Sequence, residues 1–488
     1  MDFQSNHARV EDPDLDPKDW PATRAQAHRM LDDMLDHIQG VREEPVWRPM
    51  PAEVRSAFSE GLPQGPSELA EVHAEFQKLV LPHATGNLHP RFMGWVHGGG
   101  NVVGMLADML AAGLNANLGG RDHAPIEVER QVTRWMAELF GFPETAGGLF
   151  VTGTSLANFI AVLCARAQAL GPDARVEGVG EVAAGLTAYA SAAAHGCIAK
   201  ALDMAGLGSA ALRSVPTRPD GGVDPVELAH AIAADRAAGL DPFLIVGTVG
   251  TVDVGAVDDL KALADIAGRE RLWLHIDGAF GALARLSPEL SPLLDGIERA
   301  DSIAFDFHKW GQAPYDAGFI LVRDGGRQRA AFASSAAYLQ RQTRGLAAGD
   351  PWPCDMGPDL SRGFRALKVW FAFKTYGAEA IGQTIAATCR VARELAERVD
   401  SEPELERLAP VTLNIVCFCF EGSDALNNEI VLRLQESGVA APSTTVLDGR
   451  LAIRAAIVNH RTRSEDVQIL ADEVLRLGRV LKASGEFQ

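Results

Sequence analysis

Between Arg271 and Trp310 two short apolar runs each end in charge, and that pairing restricts the fold more than any other feature of the chain. The first run, Leu272-Trp273-Leu274, leads into His275-Ile276-Asp277-Gly278-Ala279. The second, Ser302-Ile303-Ala304-Phe305-Asp306-Phe307, leads into His308-Lys309-Trp310. Each reads as a short buried strand with a charged residue at its C-terminal end. In a parallel α/β sheet those ends face the ligand crevice. An acid and a lysine at neighbouring strand ends therefore point to one shared site. A carboxylate placed after an apolar run is costly to bury alone, so Asp277 calls for a cationic partner.

The flanking chain supports an open sheet. Gly148 to Val151 is a strand that passes through Thr152-Gly153-Thr154-Ser155 into a helix ending at Leu170. Hydroxyls and free N–H groups at a helix N-terminus suit a phosphate, and they equally make an ordinary cap. Leu186 to Ser191, Phe243 to Val249 and Gly318 to Val322 are further strands, with helices at His195 to Ala205 and Asp258 to Arg269. Strands alternating with helices describe an α/β fold with a mainly parallel sheet.

Three regions follow in order. Residues 1–86 form a helical arm, with apolar stripes from residue 16 to 40 and from Ser67, a candidate cap, to Val80. The arm has little core of its own, so it packs on a partner subunit or folds back on itself. Residues 87–377 form the large domain, with helices at Val103 to Leu114, Glu127 to Phe140 and Arg365 to Thr375. Its Gly- and Pro-rich stretch 329–362 reads as a mobile loop that closes on a substrate. Residues 378–488 form a small α+β domain: a helix to Val399, strands at Leu413 to Phe420 and Arg450 to Ala456, and helices at Asn427 to Ser437 and Ser464 to Leu481.

Composition excludes several classes. The net charge is −19 and no Lys/Arg run is sustained, which argues against nucleic acid. No apolar run is long enough to span a bilayer, and the polar, acidic N-terminus carries no secretory signal. Six scattered cysteines form neither a metal pattern nor a disulfide scaffold, so the expectation is a reducing cytoplasm, no membrane and no metal.

Three segments together carry a resemblance: His275-Ile276-Asp277-Gly278-Ala279, Asp306-Phe307-His308-Lys309-Trp310, and Ser191-Ala192-Ala193-Ala194-His195. They resemble the group II pyridoxal-phosphate-dependent amino acid decarboxylases. The likeness runs from His89-Pro90-Arg91-Phe92 through Arg365 to Phe371 and on to Ile457 to Arg461. It implies a fold type I enzyme, a homodimer with its active site near the subunit interface, and pyridoxal 5'-phosphate as cofactor. The implied reaction is decarboxylation of an L-amino acid, aromatic above all, to the amine and carbon dioxide. An aldehyde product, or an acidic amino acid as substrate, is the alternative.

The resemblance also implies roles. Lys309 is the Schiff-base lysine, and Asp277 pairs with the pyridine nitrogen so that the ring accepts electrons. Ala279 is small enough for the ring to lie against, and His195 stacks on the opposite face and acts in proton transfer. Thr248 binds the phenolic oxygen or positions Lys309. Gly153, Thr154 and Ser155 hold the phosphate, with His308 close to it or to the substrate carboxylate.

Departures from the family pattern matter as well. Relatives often carry asparagine where this chain has Asp306; a carboxylate repels phosphate, so Asp306 points elsewhere or binds another donor. Between Tyr338 and Tyr376 there is no tyrosine, although aromatic decarboxylases return a proton to Cα from a loop tyrosine; here His195 or water would do so, or the product is an aldehyde. Trp95 and His97 stand on the presumed substrate loop. Arg121, Asp122 and His123 either bind a polar substrate side chain or form a subunit-interface network. Arg454 lies near the substrate or in a surface salt bridge.

Overall fold

The computed structural model describes residues 14–333 and 341–486, and contacts divide the chain into two units: residues up to Glu43 with Pro49–Ala84, and Glu44–Arg48 with Thr85–Gln488. The first unit is helical. Its long helix, Trp20–Gly40, starts where the Asp19 carboxylate accepts from the Ala22 N–H and proline occupies the first turn, whose N–H groups have no helical partner. A second helix, Leu69–Glu75, continues in wider turns through Val80. Ser67 is not its cap: Glu68 precedes the helix in extended conformation and no side chain caps it. Gln26 Nε2 meets His73 Nδ1 at 3.2 Å, a buried polar contact between the two helices.

The second unit opens with a two-residue strand, β1 (Phe92–Met93). Seven strands of one sheet follow: β2 (Gly147–Val151), β3 (Leu186–Ser191), β4 (Leu212–Val215), β5 (Asp241–Thr248), β6 (Trp273–Asp277), β7 (Ser302–Asp306) and β8 (Gly318–Val322). Their order is β2-β8-β7-β6-β5-β3-β4, with β8 antiparallel to both neighbours and the other adjacent pairs parallel. The sheet is mixed and mainly parallel, flanked by helices, as fold type I requires.

Both faces are buried, and the alternation along each strand sorts side chains between two cores. Phe150, Ile245, Ile276, Phe305 and Phe319 join Met136 and Leu263 on one face. Val151, Val246, Trp273, Ala304 and Ile320 face the other way, with Ala157 and Ile160 of the helix Thr154–Leu170. Trp273, His275 and Asp277 alternate on that second face.

A smaller sheet contains β9 (Leu405–Arg407), β10 (Ile415–Phe420), β11 (Ala441–Leu447) and β12 (Arg450–Ala456), in the order β1-β11-β12-β10-β9. β1 pairs parallel with β11, so a strand from before residue 378 enters the sheet of the C-terminal region. The helices Asp424–Ser437 and Ser464–Ser484 cover it through Ile430, Leu434, Leu470 and Val474 against Phe418 and Phe420. The two helices expected on either side of residue 377 are present, within the span Ala366–Ser401, and they part at Gly377, where φ is 81°.

The stretch expected to be a closing loop begins as the helix Gly325–Phe332. Residues 334–340, with Tyr338, lie outside the described residues. Further on, Trp352 is buried between two guanidinium groups, Arg121 at 4.4 Å and Arg341 at 3.8 Å from its ring centre. Among the described residues, no helix is long and apolar enough to cross a membrane.

Candidate active site

A cavity of about 420 Å³ opens at the C-terminal ends of β3, β5, β6 and β7. Parallel strands place these ends together, and the cavity falls within the usual size of a cofactor site. Lys309, His308, Asp277 and Ala279 line it, together with His195 and Thr248. Gly153, Thr154 and Ser155 close one side, and Trp95 and His97 another.

Lys309 follows β7 in a turn whose conformation is fixed by its neighbours. The Phe307 N–H donates to Ala317 O at 2.8 Å, and His308 Nδ1 accepts from the Ala317 N–H at 2.9 Å. Burial pushes the His308 imidazole down to about 4, against the attraction of Asp306, so the ring is neutral near pH 7. Lys309 Nζ lies 2.9 Å from Asp306 Oδ2. Asp306 Oδ1 accepts from the Thr154 N–H at 2.7 Å. Asp306 thus does not turn away from the cavity; it binds two other donors, one of them at the helix N-terminus expected to hold phosphate.

Asp277 ends β6 and pairs in register with Thr248 of β5. Its Oδ2 accepts from Asn158 Nδ2 at 2.9 Å and its Oδ1 from the Ala279 N–H at 3.1 Å. Burial pushes this carboxyl up, while Lys309, the Asn158 and Ala279 donors and His195 oppose that shift. His195 is exposed at the cavity wall, its Nδ1 accepting from the Cys197 N–H at 3.2 Å, just ahead of the helix Cys197–Met204.

Two buried hydroxyls test whether this cavity suits pyridoxal phosphate. Thr154 Oγ1 and Thr248 Oγ1 are buried without a hydrogen-bond partner among the described residues. Such groups are costly to leave unpaired and mark places where a ligand completes the bonding. Thr154 sits at a helix N-terminus suited to phosphate, and Thr248 beside Asp277, suited to a ring substituent. Gly318 supports the turn from behind: a Cβ there would lie 2.4 Å from Gly153 Cα, so no larger residue fits. The donor set fits the cofactor.

Other expected residues lie elsewhere. Arg121 stacks on Trp352, and His123 Nε2 is 3.3 Å from Gly120 O; neither lines the cavity. Arg454 is buried and makes no surface salt bridge among the described residues: its Nε donates to Val252 O at 3.0 Å and Asp253 O at 3.1 Å. Since Val252 lines the cavity, Arg454 braces the wall without entering it.

Sequence reasoning did not anticipate Tyr315 and Phe280 in the cavity, or Asn158 behind it. Tyr315 packs on His308 with ring centres 4.2 Å apart, and burial pushes its hydroxyl up to about 12. No periodic pattern points to it, because it follows Lys309 through irregular chain. Phe92, Trp95 and His97 form an aromatic stack, with Phe92 and His97 at 5.7 Å. Gly98 lets this loop approach the lysine: a Cβ would meet His308 O at 2.3 Å and Lys309 O at 2.4 Å.

Comparison with known proteins supplies a context for this geometry. Residues 51–421 match the family model described as the pyridoxal-dependent decarboxylase conserved domain. The aromatic-L-amino-acid decarboxylase of Bacillus atrophaeus is 32% identical, over 92% of this chain and 96% of its own. Phenylacetaldehyde synthase of Arabidopsis thaliana is 28% identical, over 93% of this chain and 95% of its own. The crystal structure of Oryza sativa TDC with PLP and tryptamine superposes with a TM-score of 0.87 at 26% identity, covering 96% of this chain and 100% of that one.

Proposed function

This chain belongs to the pyridoxal-dependent decarboxylase family and is a pyridoxal-phosphate-dependent carboxy-lyase, and from that premise we propose that it decarboxylates an aromatic L-amino acid to the amine. The observation that carries this reading is the convergence of Lys309, Asp277 and the unpaired Thr154 hydroxyl on one cavity. Trp95, His97, Phe280 and Tyr315 give that cavity an aromatic wall. An acidic substrate loses its support within this chain, because Arg121, His123 and Arg454 are engaged outside the cavity.

Pyridoxal phosphate, when bound, supplies an aromatic ring that accepts the electrons released with carbon dioxide. Lys309 Nζ would hold it covalently, exchanging Asp306 for that bond. Thr154, Ser155 and the helix N-terminus would bind the phosphate, and Asp277 would hold a proton at the ring nitrogen. Ala279 and His195 would confine the ring between them, so that the substrate carboxylate is oriented rather than chemically attacked. His195, exposed at the wall, is placed to return a proton to Cα.

A second reading rests on one sequence fact: the absence of any tyrosine between Tyr338 and Tyr376. With no tyrosine in the loop after Tyr338 to return the proton, oxidation by dioxygen to an aldehyde, with release of ammonia and peroxide, competes. Purified protein given phenylalanine, tyrosine, tryptophan and glutamate separates the two. Carbon dioxide alone means decarboxylation, whereas ammonia and peroxide with it mean aldehyde formation. Lys309→Ala should abolish the visible absorbance of lysine-bound cofactor; persistence of that band sinks the lysine assignment.

The proposal includes a homodimer, in which the helical arm packs on the partner subunit, and a three-part chain divided near residues 86 and 377. Sedimentation at twice the 52.1 kDa chain mass tests the dimer. All six cysteines are free thiols, which suits a reducing compartment such as the cytoplasm.

A further inference from the structure

His275 is a fully buried titratable group that the reaction outlined above does not use. Burial pushes it down to about 3, so it is a neutral imidazole with one donor and one acceptor nitrogen. It lies two residues before Asp277 on the same face of β6, and Ser302 of β7 is its register partner.

Four hydrogen bonds run through it. Trp273 Nε1 donates to Ser302 Oγ at 2.8 Å, and Ser302 Oγ lies 2.8 Å from His275 Nδ1. His275 Nε2 lies 2.8 Å from Asn158 Oδ1, and Asn158 Nδ2 donates to Asp277 Oδ2 at 2.9 Å. Both ends fix the direction. Indole N–H can only donate, and an ionised carboxylate can only accept. One arrangement satisfies every member: Ser302 gives its proton to Nδ1, the Nε2–H faces the Asn158 oxygen, and the amide nitrogen faces Asp277. The second amide hydrogen meets Cys197 Sγ at 3.2 Å, so the carboxamide is fully used.

We propose that Trp273, Ser302, His275 and Asn158 form a one-way hydrogen-bond chain that keeps a donor on Asp277 Oδ2 and so presents Asp277 to the cofactor as a carboxylate. They are positioning residues, and the proposal rests on the reading that Asp277 meets the ring nitrogen. Without a proton on Nε2, the Asn158 amide is free to turn over and aim its oxygen at Asp277, which favours a protonated acid and draws the proton off the ring. The other titratable groups facing Asp277 are Lys309, His195 and Cys197, whose Sγ is 3.9 Å from Oδ2. Only Cys197 touches the amide, at 3.2 Å, and a thiol both donates and accepts weakly, so it serves either orientation and does not fix one.

The test uses the full chain loaded with pyridoxal phosphate labelled with 15N in the ring. The 15N shift, followed against pH, reports whether that nitrogen carries a proton. Ser302→Ala should lower the pH at which the proton leaves by about one unit, a tenfold change, as expected for losing a donor to a charged group. Ser302→Thr, which keeps the hydroxyl, should restore it. A Ser302→Ala protein that shows the lysine-bound band but an unmoved ring nitrogen overturns the chain. If no lysine-bound band forms in the unsubstituted protein, the functional reading fails separately. A second measurement then still decides: in cofactor-free protein with 15N-histidine, the ring most perturbed by Ser302→Ala should be the Nε2–H tautomer, and an Nδ1–H tautomer there overturns the proposal.

Discussion

Asp306 places a carboxylate at the Thr154 N–H, 2.7 Å away, and 2.9 Å from Lys309 Nζ. In the proposed site a bound phosphate shares this helix N-terminus with it, and like charges a few ångströms apart repel. Asparagine keeps an oxygen for the Thr154 N–H without the charge. Asp306→Asn should therefore bind pyridoxal phosphate roughly tenfold more tightly, about 1.4 kcal/mol. Cofactor titration of the cofactor-free protein measures this, and weaker binding by the variant refutes it. The same side chain shows how far single residues were legible. Lys309 and Asp277 could be placed because each ends an apolar run, where a strand end fixes the side chain's destination. Arg121, His123 and Arg454 could not, because their partners (Trp352, Gly120 O and Val252 O) are set by packing, and two of these lie far away in sequence.

At the scale of elements, Gly377 breaks the helix Ala366–Ser401 with φ 81°, a region that side chains other than glycine's enter only with strain, and a Cβ added there would meet nothing within 4 Å. Gly377→Ala therefore tests backbone strain alone and should cost about 1–2 kcal/mol. Gly268, inside the helix Leu260–Glu270 and equally open, has no such φ; Gly268→Ala should add roughly 0.5–1 kcal/mol of stability. Urea unfolding of both variants measures the pair, and a shared sign contradicts the account. The break at Gly377 was visible in the sequence as a join between two helices. β2, β3 and β5 to β8 were visible too, since strands buried on both faces read as apolar runs. β1, β4, β9 and β11 were not: Phe92–Met93 is two residues long, Leu212–Val215 has Arg213 and Ser214 among its four, and Ala441–Leu447 mixes Pro442, Ser443 and threonines with its apolar positions. Their pairing comes from the sheet they join, not from their own pattern.

Across the whole molecule, burial of neutral histidines should set the acid limit of stability. His275 is held to about 3, and His308 and His460 to about 4, against 6.5 in an unfolded chain. As pH falls through 6.5 the unfolded chain takes up three protons that the fold refuses, so unfolding gains and stability declines. Asp258 acts in the opposite sense. Burial raises it to about 6 from an ordinary 3.8, so below pH 6 the fold takes a proton that the unfolded chain does not. Among these four groups two uncompensated protons remain between pH 6 and 4, together worth about 2.8 kcal/mol per pH unit. Replacing one of the three histidines should halve that slope. His308→Gln lines the same cavity without a titrating ring, so the difference in stability between it and the unsubstituted protein should shift in the variant's favour by about 1.4 kcal/mol for each unit of acidification between pH 6.5 and 4. Urea titrations of both cofactor-free proteins at pH 6.5, 5.5 and 4.5 read this directly. Parallel curves would mean that His308 is protonated in the fold, and the neutral ring beside Lys309 would have to be abandoned.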